Sequence, residues 1–192
     1  SALYRFVGFL HPDSARRLIS DPVSPNLIYD DIAVDKILRV TAGHPYFLQL
    51  VCYTLVNRAN QRRSSYITIS DVNSAIDEML RLGEVHFAYI WQRSSYPERA
   101  LLAASSKLMD YASPFRPDEL VRELGQYGIH LQPAQVTDGL NRLVERGILR
   151  EIGDEGAPLF ELRIGLVGMW VAQNKSFGRL YASAKRRPVI GD

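Results

Sequence analysis

Apolar residues recur every three to four positions along most of this 192-residue chain, and several of these runs open on a proline or a capping residue and close on a glycine. That spacing lines one face of a helix, so it predicts a mainly α-helical fold. The clearest case lies near the start. Val34, Ile37, Leu38 and Thr41 form one stripe behind Asp30 or Asp31 as N-cap. Gly43 ends it, with the positive φ that glycine tolerates, and Pro45 opens the next helix at its first position, where a missing N–H costs nothing. Phe47, Leu48, Val51, Cys52, Leu55 and Val56 make the second stripe.

Around this pair, residues 4–10 read as a short strand, and residues 13–20 as a helix burying Ala15, Leu18 and Ile19. Asp21-Pro22 and Ser24-Pro25 break that helix. Residues 66–69 read as an extended link, and Ser70 as the cap of a helix burying Val72, Ala75, Ile76, Met79 and Leu80. A compact unit of about four helices is expected over residues 12–82.

The rest of the chain changes order. Residues 82–91 continue as helix, and Tyr96-Pro97 marks a boundary. Helices follow over 98–110 (Leu101, Leu102 and Leu108 inward), 118–126 (Leu120, Val121 and Leu124) and 133–146 (Val136, Leu140, Leu143 and Val144). Two short strands, 148–152 and 159–164, flank the loop Gly153-Asp154-Glu155-Gly156, and a last helix runs over 166–177. Three helices followed by a strand–loop–strand hairpin is the order of a winged helix-turn-helix with a two-stranded wing. The expected division is 1–10 as the end of an upstream core or linker, 11–94 as a small helical bundle, 95–178 as the winged-helix domain and 179–192 as a basic tail.

Charge and cysteine content narrow the function. Residues 1–95 carry ten basic and nine acidic side chains, net +1; residues 96–172 carry eight and eleven, net −3; residues 173–192 carry five and one, net +4. The basic excess centres on Lys185, Arg186 and Arg187. The single cysteine, Cys52, excludes an internal disulfide framework, points to a reducing compartment and sits on an apolar stripe as an inert thiol. No apolar run nears the ~18 residues of a membrane span, and no signal peptide is visible, so a cytoplasmic location is expected. His11, His44, His86 and His130 are scattered, without metal-ligand spacing. Ser105-Ser106-Lys107 reads as helix surface, and Gly83, His86, Tyr89 and Trp91 as a junction helix with aromatic packing.

Residues 37–50, Ile-Leu-Arg-Val-Thr-Ala-Gly-His-Pro-Tyr-Phe-Leu-Gln-Leu, resemble the Gly-x-Pro motif of the STAND signalling ATPases, a branch of the AAA+ group. Tyr29 to Asp31 and Thr68-Ile69-Ser70-Asp71-Val72 are similar to the way such lids begin and end. The resemblance covers roughly residues 8–82, and a winged helix follows the lid in many members. It implies a nucleotide-lid role for residues 11–94, with Gly43 supplying the turn, His44 the variable middle position and Pro45 the adenine contact. It also implies a P-loop ATPase core of the same protein as partner, holding ATP or ADP with Mg²⁺. The chain has no Gly-x-x-x-x-Gly-Lys-Ser/Thr and no strand ending in an acidic pair. A lid without these supplies one wall of a nucleotide site, so no catalytic residue and no cofactor are expected here.

A winged helix also raises DNA. Its third helix would enter the major groove, with Gln135, Asn141 and Arg142 at base edges and Arg146 nearby. Thr137, Asp138 and Glu145 share that exposed face. Asp138 and Glu145 oppose phosphate, as do Asp154 and Glu155 at the wing tip, and phosphate contacts dominate DNA affinity. A protein or intramolecular contact through the winged helix is therefore favoured over DNA. The alternative is a DNA-binding transcriptional regulator.

Overall fold

The computed structural model describes residues 8–110, 113–153 and 156–185. Within them the chain is mainly helical, with two small two-stranded sheets. It divides into two compact units: residues up to Val85 with Ile164–Leu166, and residues from His86 to Arg163 with those from Val167 onward.

In the first unit, α1 (Pro12–Ser20) leads through a 3-10 turn (Asp21–Val23) to β1 (Ile28–Tyr29), α2 (Asp31–Thr41), α3 (Pro45–Arg62), β2 (Tyr66–Ile67) and α4 (Ile69–Leu82). β1 and β2 pair in parallel, Ile28 with Tyr66 and Tyr29 with Ile67, which ties the entrance of α2 to that of α4. Ala15, Ile19, Ile37, Phe47, Leu48, Val51, Leu55, Val72 and Met79 form the core. Arg58 bonds Glu78 and Arg62 bonds Asp71, each at 3.0 Å, bridging α3 and α4.

Several expectations shift here. Residues 8–10 are not strand, and the rest of the expected strand over 4–10 lies outside the described residues. Leu18 is exposed, because α1 turns only its Ala15 and Ile19 face inward. Thr68, not Ser70, caps α4. Its hydroxyl accepts from Asp71 N at 3.3 Å while Asp71 Oδ2 accepts from Thr68 N at 2.8 Å, a reciprocal capping box. α4 stops at Gly83, and residues 84–92 form a separate helix, α5 (Glu84–Gln92).

In the second unit, α6 (Tyr96–Leu108), α7 (Pro117–Gly125) and α8 (Pro133–Glu145) precede β3 (Leu149–Ile152) and β4 (Leu159–Leu162), then α9 (Gly165–Asn174), whose first residues group with the first unit, and α10 (Phe177–Lys185). β3 and β4 are antiparallel, with Leu149 opposite Leu162 and Ile152 opposite Leu159. Phe115 and Phe160 exchange both backbone bonds at 2.8 Å, fastening the segment before α7 to the hairpin. α6 is the central element, buried from Ala100 through Ser106. Gly139 of α8 lets the two helices approach closely; a Cβ there would lie 2.6 Å from Leu101 Cδ1.

Three corrections follow. Ser105 and Ser106 are buried rather than surface, each donating to a carbonyl one turn back, Leu101 at 2.8 Å and Leu102 at 2.7 Å. Val121 is exposed while Leu120 and Leu124 are buried. The expected single last helix is two, α9 and α10, so residues 179–185 are helix and not tail. Leu180 is buried, and Phe177 stacks on Tyr127 at 4.1 Å. Arg186 and Arg187 lie outside the described residues.

Candidate functional site

The Gly43–Pro45 bend is built by backbone geometry. α2 ends on Ala42 at φ 52, followed by Gly43 at φ 71. Two consecutive left-handed residues reverse the chain within a single step, which α3 then exploits by starting on Pro45. Thr41 is buried at the corner. Its hydroxyl donates to Ile37 O at 2.8 Å and accepts from Gly43 N at 3.3 Å, while Thr41 O accepts from His44 N at 2.9 Å. The bend is therefore held from within by hydrogen bonds.

Its members differ in access. Gly43 is buried under the incoming chain: its carbonyl accepts from Leu10 N at 3.0 Å, and an added Cβ would lie 2.9 Å from Leu10 O. His44 packs edge-on to Phe9 at 5.5 Å and against Phe47 at 5.0 Å. Pro45 is half-buried and Tyr46 is exposed. The Pro45–Tyr46 end of the bend is therefore the more exposed one, while Gly43 serves the turn.

The outer face of α8 is the second candidate. Gln135, Thr137, Asp138, Asn141, Arg142 and Glu145 are all exposed, as the helical spacing requires. Gln135 is committed to the helix start, where its Oε1 accepts from Gln132 N at 2.8 Å. Asn141 and Arg142 make no side-chain hydrogen bond or ion pair among the described residues.

Arg146 is the correction. Its guanidinium donates to Glu98 Oε1 at 2.8 Å, Ser94 Oγ at 2.8 Å and Ile90 O at 2.9 Å. Three of its five N–H groups are thus used inside the unit, which leaves it less free for an external partner than the exposed Arg142. Burial opposes the charge on Glu98, but the Ser95 hydroxyl and backbone N–H and the Arg146 guanidinium outweigh it and hold the carboxyl below its usual range. Arg150 is likewise paired, with Glu161. The wing-tip residues Asp154 and Glu155 lie outside the described residues. Arg146 was expected beside the outward-facing residues; it lies three residues after buried Leu143 and seven after buried Gly139, so helical spacing carries it to the inner face. Ser95-x-x-Glu98, a capping-box pattern, was the sequence signal that a carboxylate would be fixed there.

Among the described residues there is no group of three His, Cys, Asp or Glu side chains arranged for a metal ion, and no helix is long and apolar enough to cross a membrane. Compared with protein-family models, curated proteins and solved structures, the chain matches none.

Proposed function

We propose that this chain is the regulatory part of a STAND/AAA+-type switch. Residues 11–94 act as a lid over nucleotide held by a P-loop core of the same protein. Residues 95–178 act as a winged helix that relays or restrains lid closure through protein contacts. The observation that carries the reading is the rigid helix–bend–helix at Gly43-His44-Pro45, with Pro45 at the first position of an 18-residue helix and accessible at its edge. An apolar ring can cover a base, and the N-terminus of a helix favours nearby phosphate charge. The winged-helix reading is supported by the order α6–α7–α8–β3–β4 and by the Phe115–Phe160 bridge that joins hairpin and helices.

A lid responds to nucleotide only if its contacts differ between the two nucleotide states. ATP and ADP are therefore titrated into the longer protein that carries the P-loop, with and without Pro45→Ala. The expected result is weaker binding of both adenine nucleotides and no change in phosphate-only binding; unchanged affinity for ATP and ADP defeats the reading.

The exposed, unpartnered Asn141 and Arg142 favour DNA as a second reading. It predicts salt-sensitive binding to duplex DNA that Asn141→Ala and Arg142→Ala weaken. Because Arg146 and Arg150 are already paired within the unit, α8 and the start of the hairpin bring few free cations to phosphate, and the protein-contact reading stands ahead of it.

A further inference from the structure

The first unit contains a cleft of about 200 Å³ between α1, the 3-10 turn after it, β1 and α3. Its walls are mostly apolar, with Ile19, Leu48 and Val56 among them, and its rim at Leu18 and Gln49 is exposed to solvent. No charged side chain lines it. Such a lining rejects ions, whose desolvation it cannot repay, and accepts neutral apolar groups.

Besides Gln49 at the rim, two polar groups interrupt the apolar wall, Tyr29 from β1 and Cys52 from α3. Tyr29 is 8% exposed; its buried hydroxyl makes no hydrogen bond of full geometry and has beside it the Cys52 sulfur, a weak acceptor. A buried hydroxyl left with so weak a partner is uncommon, because it forfeits its bonds to water and recovers little. Burial, and then the neighbouring Cys52 thiol, hold the Tyr29 hydroxyl in its protonated form. Burial likewise pushes the thiol up to about 11. Both groups are therefore neutral donors near pH 7. Cavities of roughly 150 Å³ accept benzene, so this cleft has room for one six-membered ring with a short substituent.

We propose that the cleft is a binding site for a small, neutral, mainly apolar molecule whose carbonyl-type oxygen accepts the hydrogen bond that Tyr29 has to offer. None of Gly43, His44 and Pro45 lines it, so the proposal goes beyond the nucleotide reading and does not depend on it.

Acetophenone and ethylbenzene are near-isosteric probes that differ in the carbonyl oxygen. Their binding to the full chain is measured by NMR shift perturbation, and in parallel by the rate at which N-ethylmaleimide alkylates Cys52, the sole cysteine. Acetophenone is expected to bind about five- to tenfold more tightly than ethylbenzene, the worth of one neutral hydrogen bond, and to slow alkylation. Tyr29→Phe is expected to remove that preference while ethylbenzene still binds, which also reports that the variant is folded. The proposal is overturned if neither probe binds at millimolar concentration, if acetophenone keeps its advantage in Tyr29→Phe, or if bound acetophenone leaves the alkylation rate unchanged.

Discussion

Arg146 Nη1 donates to Glu98 Oε1 at 2.8 Å, joining the residue after α8 to the first turn of α6 across 48 positions of sequence. Glu98 is 4% exposed and also accepts from Ser95 N at 2.8 Å. Removing one partner of such a pair strands the other's charge, which costs about 3–5 kcal/mol when both are deeply buried. The Arg146 side chain keeps 28% exposure, so the lower end applies. Glu98→Ala and Arg146→Ala are each expected to destabilise by about 3 kcal/mol. Arg142→Ala, on the exposed face beside it, should change stability by less than about 0.5 kcal/mol. Urea denaturation of the three variants checks this, and a loss of similar size at Arg142 would contradict the assignment.

The same carboxylate sets an acid limit. Glu98 is held below its ordinary value of 4.5. Asp71 is held below 3.8, chiefly by the hydrogen bond from Thr68 N. A depressed folded-state pKa contributes stability that is complete above the unfolded value and lost as pH falls through the folded value. Unfolding free energy should therefore hold level from neutral pH to roughly pH 5 and then fall with further acid. Glu98→Gln should flatten part of that slope, measured as urea midpoints between neutral pH and pH 3. An identical acid slope in the variant would show that Glu98 does not carry it.

Gly43 and Gly125 make a matched pair. Gly43 has φ 71 and an added Cβ would lie 2.9 Å from the Leu10 carbonyl oxygen, whereas Gly125, at the end of α7, has nothing within 4 Å. Gly43→Ala should cost about 1–3 kcal/mol through left-handed strain and backbone contact. Gly125→Ala should be neutral or stabilise by up to about 1 kcal/mol through helix propensity. Thermal unfolding of the two variants gives opposite signs if the bend is as rigid as its hydrogen bonds imply.

Tyr29→Phe removes a hydroxyl that makes no hydrogen bond of full geometry and is left beside the weakly accepting Cys52 sulfur. In the absence of ligand the variant should be as stable as the parent chain or more stable, by up to about 1–2 kcal/mol. A loss of more than about 1 kcal/mol would mean that the hydroxyl is bonded in solution.

Thr68→Ala takes away the oxygen that caps α4 and should cost about 1 kcal/mol, whereas Ser70→Ala should cost little, since Ser70 lies exposed in the first turn and holds no cap. Equal losses at the two positions would place the helix start at Ser70 after all.

Local rules made much of this molecule legible from its sequence. Pro45 and Pro133 begin α3 and α8, Gly43 and Gly147 lie just beyond the ends of α2 and α8, and the apolar spacing of α3 and α8 selected most of their buried residues, because each of these depends on a few neighbouring positions and on helix geometry alone. Ser70 was misplaced because Thr68 and Ser70 are both good caps, and the start of α4 right after β2, which pairs with a strand 38 residues earlier, puts the cap at Thr68. What tertiary structure alone determined was the destination of polar groups. Arg146 looked like a contact for an outside partner until the packing of α8 on α6 brought it to Glu98, and packing closed over the Tyr29 hydroxyl with only the weakly accepting Cys52 sulfur beside it. A hydrogen bond spanning 48 residues, or one left unmade, is a property of how helices meet, and no window of sequence contains both sides of it.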